Sequence, residues 1–256
     1  MLSYINALIF GLVEGITEFL PISSTAHLIL TAKLLGYEQT EFLKSFEVII
    51  QFGAIIAVLL LYWKSFLNKE ILKRLFVAFI PSGILGFILY KLVRNLLGDI
   101  RVVLWALLIG GILIIAFEKL FKSKDDEEQT VEAITYKQSL FIGIFQAVAM
   151  IPGVSRSAAT ILGGLLLGVK RKAIVEFSFL LAVPTMLGAS ALDLFNNHGI
   201  IQKDEWGFLI VGFVFSLISA VLGIKFLLNF IRSRSFSGFG WYRVVLTILF
   251  FLLILK

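Results

Sequence analysis

Two stretches of one design constrain this chain more than anything else in it. From Gly11 to Leu30 the sequence reads GLVEGITEFLPISSTAHLIL, and from Gly143 to Leu162 it reads GIFQAVAMIPGVSRSAATIL. Each is apolar enough for a bilayer, and each is cut midway by a proline and a run of small polar residues. Aligned from their first glycines, Gly11 meets Gly143 and Glu14 meets Gln146; after a one-residue slip, Pro21 meets Pro152 and Ser24 meets Ser155. The first copy carries two carboxylates (Glu14, Glu18) and an imidazole (His27), and the second carries Arg156 between two serines. Similarity at such a spacing marks an internal repeat, and the polar content marks a place where anions are handled.

The solvent these helices meet is set by composition. At 59% hydrophobic and 16% charged, with mean hydropathy +0.98, the chain cannot cover a soluble surface and reads as an integral membrane protein. Its net charge of +6 is then a matter of membrane orientation and not of nucleic-acid binding, which is not expected. With no cysteine, disulfides and thiolate metal sites are excluded. The N-terminal apolar run contains two glutamates and lacks a basic lead-in, so a cleaved signal is not expected.

Periodicity predicts a helix from Tyr4 to Leu20, a break at Pro21 to Thr25, and a second helix from Ala26 to about Leu35. A second arm of this length reaches only roughly 18 Å, against a hydrocarbon core of about 30 Å, so the pair is expected to be a re-entrant hairpin. Broken backbone at that depth must be buried in protein or line a wet cavity. Full spans are predicted at Phe42–Trp63, Leu75–Val93 (kinked at Pro81) and Arg101–Phe121. A basic loop lies between the first two. Residues 122–135 form a solvated linker with no assigned chemistry. The plan then repeats: a hairpin over 136–168 and spans at Ala173–Leu194, Gly207–Phe230 and Trp241–Leu255.

The expected fold is therefore all-α and integral to the membrane, a single domain of two repeats (1–121 and 136–256), each one re-entrant hairpin plus three spans. Three crossings per half invert the second half relative to the first, so the hairpins meet from opposite faces near mid-membrane. Of the basic residues outside the hairpin tips, seven fall on the face where the first hairpin opens. Fifteen fall on the other, Arg243 among them. The fifteen-residue face is expected to be cytoplasmic, with the first hairpin opening outward.

Glu14 and Glu18 lie one turn apart on one helical face, and ionised acids at membrane depth cost about 2.5–3.5 kcal/mol each. They suit a hard divalent cation, Mg2+ or Ca2+, bound through oxygen; a plain buried salt bridge with Arg156 is the alternative. Ser24 and His27 share a face at the start of the next helix, as a hydroxyl–imidazole pair for nucleophilic chemistry, with a helix cap as the simpler role for Ser24. In the second tip, Ser155, Arg156 and Ser157 open a helix whose free amides favour an anion, and Thr160 follows one turn on. Ser23 and Thr25 are further phosphate-binding candidates, and Glu47, Gln51 and Gln146 are candidate supporting groups. A transporter for a lipid phosphate would share this architecture but has no need of a nucleophile.

The motifs EGITEFLPISSTAHL and PGVSRSAAT, with FEVIIQFGAIIAV from Phe46 and the late Tyr242-Arg243, resemble the bacterial undecaprenyl-pyrophosphate phosphatase family linked to bacitracin resistance. The resemblance spans nearly the whole chain. It implies hydrolysis of undecaprenyl pyrophosphate to the monophosphate carrier lipid and inorganic phosphate, a divalent cation, and a site on the outer side of the bacterial inner membrane. It carries over Glu14 and Glu18 as the acidic pair, Ser24 and His27 as the serine–histidine pair, and Ser155, Arg156 and Thr160 as the arginine motif. Substrate and bilayer lipid are the expected partners, and a homodimer is left open. The nucleophile is also left open among Ser24, His27 and water.

Overall fold

The computed structural model describes residues 2–96, 99–121, 129–196 and 205–254. Ten α-helices run in order among them: α1 Tyr4–Glu18, α2 Ser24–Leu34, α3 Glu41–Tyr62, α4 Lys69–Leu96, α5 Ile100–Leu120, α6 Tyr136–Val148, α7 Arg156–Leu166, α8 Arg171–Asn196, α9 Trp206–Phe230 and α10 Ser237–Ile254. The predicted elements all form. Half of the predicted linker, residues 122–128, lies outside the described residues, as do Lys122, Lys124, Lys203 and Lys256 of the charge count. The predicted basic loop is shorter than expected, because α4 begins at Lys69 and carries Lys73 and Arg74 on its first turns, ion-paired to Glu70.

Among the described residues five helices are long and apolar enough to cross a membrane: α3, most of α4, α5, most of α8, and α9. The expected sixth, α10, has a shorter apolar stretch, Ser237–Leu252, within the described residues. The spans turn large apolar side chains outward, Phe76, Ile84, Phe87 and Ile88 on α4 for example, a surface that only lipid can solvate. The helices of the two hairpins have 15, 11, 13 and 11 residues, and the longest reaches only about 22 Å.

A constant spacing of 132 residues relates the hairpins. It joins the N-caps Ser3 and Thr135, the tip caps Ser23 and Ser155, and the closing left-handed glycines Gly36 and Gly168. It also joins Gly11 to Gly143 without interruption, so the one-residue slip expected at the prolines is not present. The true counterparts are Ser23 with Ser155, and Ser24 with Arg156. Gly11 and Gly143 do equivalent work: a Cβ on Gly11 would strike the Gly212 carbonyl of α9, and one on Gly143 would strike the Ala78 carbonyl of α4. Each hairpin's first helix thus lies backbone-to-backbone on a span of the other half, α1 on α9 and α6 on α4. The halves interlock, and this brings the two tips together.

Candidate functional site

Each tip is a turn that must deliver a helix N-terminus into the protein interior. Ser23 and Ser155 cap α2 and α7, and their hydroxyls accept from the amides of Ala26 and Ala158 at 3.4 and 3.2 Å. Both sit at positive φ, 71° and 77°, a conformation costing a non-glycine residue about 1–3 kcal/mol that the surrounding contacts must hold. Ser24, for which a helix cap is the simpler role, is instead the first residue of α2, so its hydroxyl is not used as the cap. Beside Ser155, Gly153 has φ 97° and approaches the Val103 carbonyl so closely that a Cβ would lie 2.5 Å from it. The amides of Ser23, Ser24 and Thr25 in one tip, and of Ser155, Arg156 and Ser157 in the other, have no hydrogen-bond acceptor among the described residues. Two helix N-termini therefore present six backbone donors and their partial positive charge in one region.

The tips touch directly. The Ser157 hydroxyl donates to the Leu20 carbonyl at 2.8 Å, and Arg156 Nη2 lies 3.0 Å from Glu18 Oε1 in an ion pair that is almost wholly buried. Glu18 Oε2 accepts the hydroxyl of Ser24. Glu18 thus links the serine of one tip to the arginine of the other. Arg156 is fixed further by Nη1 donating to the Ser178 carbonyl at 2.7 Å and by its position over the Phe19 ring. Thr160 bonds the Ser178 hydroxyl at 2.7 Å and donates to the Arg156 carbonyl, so it supports the arginine from behind. Ser178 gave no signal in the sequence, being one serine on an apolar helix.

These groups open on a cavity of about 530 Å³. Glu18, Ser23, Ser24, Thr25, Gln51, Gln146, Ser155 and Arg156 line its polar part, and Phe79, Gly83, Gly86, Phe87, Met186 and Gly188 line an apolar part between α4 and α8. A head that accepts hydrogen bonds and carries negative charge, joined to an apolar tail, matches that lining. Gln146 donates to Ser82 and Thr185 at 2.7 and 3.1 Å, bracing α6 against the two proline-containing helices α4 and α8. Glu47 accepts from Gln39 at 3.2 Å and does not line the cavity. Ser157 and Thr160, expected at the phosphate, have their hydroxyls turned to backbone carbonyls instead.

His27 is placed differently from expectation. Its Nδ1 lies 2.7 Å from the Ser23 carbonyl, which can only accept, so the proton sits on Nδ1 and Nε2 accepts from the Tyr242 hydroxyl at 2.8 Å. The ring stacks on Tyr242 with 3° between planes. Both nitrogens are engaged away from Ser24, and the residue does not line the cavity. The expected serine–imidazole pair is therefore not formed, because the tip turns Ser24 back to α1 and His27 out to α10. The hydrogen-bond acceptor for Ser24 is Glu18.

Glu14 is fully buried, and neither of its carboxylate oxygens has a hydrogen-bond partner. It lies within direct electrostatic reach of Glu18 on the same face of α1. A buried, unpartnered carboxylate beside a second one is a hard oxygen donor set that fits a divalent cation. Among the described residues no three His, Asp or Glu side chains cluster for a metal, so protein ligands alone would not complete its shell.

Comparison with known proteins identifies the family. Residues 7–249 match the family described as Bacitracin resistance protein BacA. The chain belongs to that family. Among its relatives, the undecaprenyl-diphosphatase of Sulfurihydrogenibium sp. (strain YO3AOP1) is 51% identical over 97% of this chain and 98% of its own length. That of Bdellovibrio bacteriovorus is 47% identical over 99% and 97%, and that of Aquifex aeolicus 47% over 96% of each.

Proposed function

We infer that this chain is a multi-pass membrane phosphatase that hydrolyses undecaprenyl pyrophosphate to undecaprenyl phosphate and inorganic phosphate, and so recycles the carrier lipid of cell-wall synthesis. Near-full-length identity of about half to undecaprenyl-diphosphatases carries the activity. The observation that carries the mechanism is the Ser24–Glu18–Arg156 chain across the two tips. A carrier for a lipid phosphate would need the arginine and the amides but not a hydroxyl set on a carboxylate.

In the reading we favour, the prenyl tail occupies the apolar side of the cavity and the pyrophosphate lies between the helix N-termini. Ser24 Oγ attacks the terminal phosphorus and its proton passes to Glu18, whose hydrogen bond it already makes. The bond to the bridging oxygen breaks, and undecaprenyl phosphate leaves with the proton that Glu18 held, so that Glu18 is a carboxylate again. Arg156 and the tip amides hold the equatorial oxygens through transfer. Water then attacks the phosphoserine, Glu18 takes its proton and returns it to Ser24 Oγ as the bond to phosphorus breaks, and phosphate is released with the serine restored. Glu14 and Glu18 would hold a divalent cation, Mg2+ or Ca2+, which when bound neutralises phosphate charge.

The two halves are read as inverted repeats joined by the linker at 122–135, with the site open to the outer side of the bacterial inner membrane. The constant spacing of the hairpins and the crossed packing of α1 on α9 and α6 on α4 support the repeat, and the charge count supports the orientation. Purified protein in detergent, given a long-chain prenyl pyrophosphate, should release inorganic phosphate, and Glu18→Gln should slow the release by at least about 100-fold. No release from folded wild-type protein would contradict the reading.

A further inference from the structure

Arg243 has no place in the chemistry above, yet it is the largest fully buried side chain in the described structure. The sequence placed it among the basic residues of a membrane face; the structure places it inside, which removes it from that count. Among the described residues its guanidinium forms no ion pair with a carboxylate. Instead it donates to five backbone carbonyls: Pro21 at 3.2 Å in the first tip, Gly153 at 2.9 Å and Val154 at 3.0 Å in the second, and Ala106 at 3.1 Å and Leu107 at 3.2 Å on α5. The helix α5 is cut away to admit it, since a Cβ on Gly110 would strike the guanidinium and one on Gly111 would lie 3.0 Å from the Arg243 Cβ.

Five carbonyls satisfy the donors of a guanidinium but leave its charge uncompensated, and an unpaired buried cation is costly unless its charge is used. A fold that needed only a clamp between the tips could use a neutral amide. Peptide planarity shows where the charge acts. The Val154 carbonyl points at Arg243, so the Ser155 amide of the same peptide points away from it. That amide has no acceptor among the described residues, and Ser155 lines the cavity. A cation on the carbonyl side polarises the peptide and makes its N–H a better donor to an anion.

We propose that Arg243 is a positioning residue for phosphoryl transfer, holding the two hairpin tips in register by their carbonyls and polarising the Val154–Ser155 peptide towards the phosphate. The proposal rests on the phosphatase reading. It accounts for an unpaired buried cation between two re-entrant turns that themselves hold strained caps. Its effect falls on the transition state, where negative charge redistributes, more than on lipid binding.

The test compares wild type with Arg243→Lys, Arg243→Met and Gly110→Ala, the last displacing the guanidinium without touching the cavity. Phosphate release gives kcat and KM, line broadening of inorganic phosphate in 31P spectra reports the anion site without turnover, and thermal unfolding in detergent reports the fold. The expected result is a fall in kcat of at least about ten-fold in Arg243→Lys and more in Arg243→Met, with KM within about three-fold and phosphate binding weakened in the same order. Gly110→Ala should follow Arg243→Lys. Arg243→Met that is folded with kcat and phosphate binding near wild type would overturn the proposal. So would loss of the folded state in all three variants, which would make Arg243 a scaffold residue only. Should wild type release no phosphate, the phosphatase reading fails, and the phosphate-binding order still decides the role of Arg243.

Discussion

Replacing Ser24 with alanine separates chemistry from structure more cleanly than any other change at this site. The cap of α2 is Ser23, so the bond from the Ala26 amide to Ser23 Oγ survives, and alanine is well suited to the first turn of a helix. What is lost is the hydrogen bond to Glu18, whose other oxygen keeps Arg156 at 3.0 Å. Removing one donor from a buried carboxylate costs about 1–3 kcal/mol, which a span-rich membrane protein should tolerate with a modest drop in unfolding temperature. Removing the nucleophile is a larger loss. At least about a 10³-fold fall in kcat is expected, equivalent to about 4 kcal/mol of transition-state stabilisation. The assay is phosphate release from a prenyl pyrophosphate under saturating substrate, with thermal unfolding of the same preparations. A folded Ser24→Ala protein within about ten-fold of wild type would refute serine attack and leave direct attack by water, with Glu18 as base.

Other expectations follow from the same geometry. His27→Asn and Tyr242→Phe, which break the bond between the first tip and α10, should each lower kcat by less than about ten-fold in a phosphate-release assay, because neither residue lines the cavity. Chelation should stop phosphate release from wild type, and added Mg2+ or Ca2+ should restore it; release that is indifferent to chelator would show that Glu14 and Glu18 hold no required metal. Gly143→Leu must displace α6 from the Ala78 carbonyl and should destabilise the protein by at least about 3 kcal/mol, seen as a lowered unfolding midpoint.

Much of this was legible in the sequence because hairpin boundaries are written in local chemistry. Serine and threonine caps, prolines at the breaks and closing glycines set the ends of α1, α2, α6 and α7 to within a few residues. The pairing of tip residues was not legible to the same degree. Proline lies two residues before the cap in the first tip and three before it in the second, so matching the prolines shifts every later pair by one. Spacing along a helix correctly put Ser24 and His27 on neighbouring positions. It could not show that the tip folds Ser24 back on Glu18, six residues earlier and across a turn. The burial of Arg243, which the resemblance singles out without a role, was hidden for a different reason. A charge count treats every arginine alike, and only the packing of α10 against α5 reveals that this one is enclosed. The signal available was Gly110-Gly111 on α5, a notch in an otherwise bulky span, but nothing local links it to a residue more than a hundred positions away.

The central claim is that the two hairpin tips form one catalytic site, joined through Glu18 and Arg156. A double-mutant cycle on phosphate release with Glu18→Gln and Arg156→Lys tests this most directly. One shared site predicts that the double variant loses little more than the worse single variant, a coupling of about 2 kcal/mol or more in activation free energy. Effects that add to within about 0.5 kcal/mol would mean that the tips act independently, and would contradict the account.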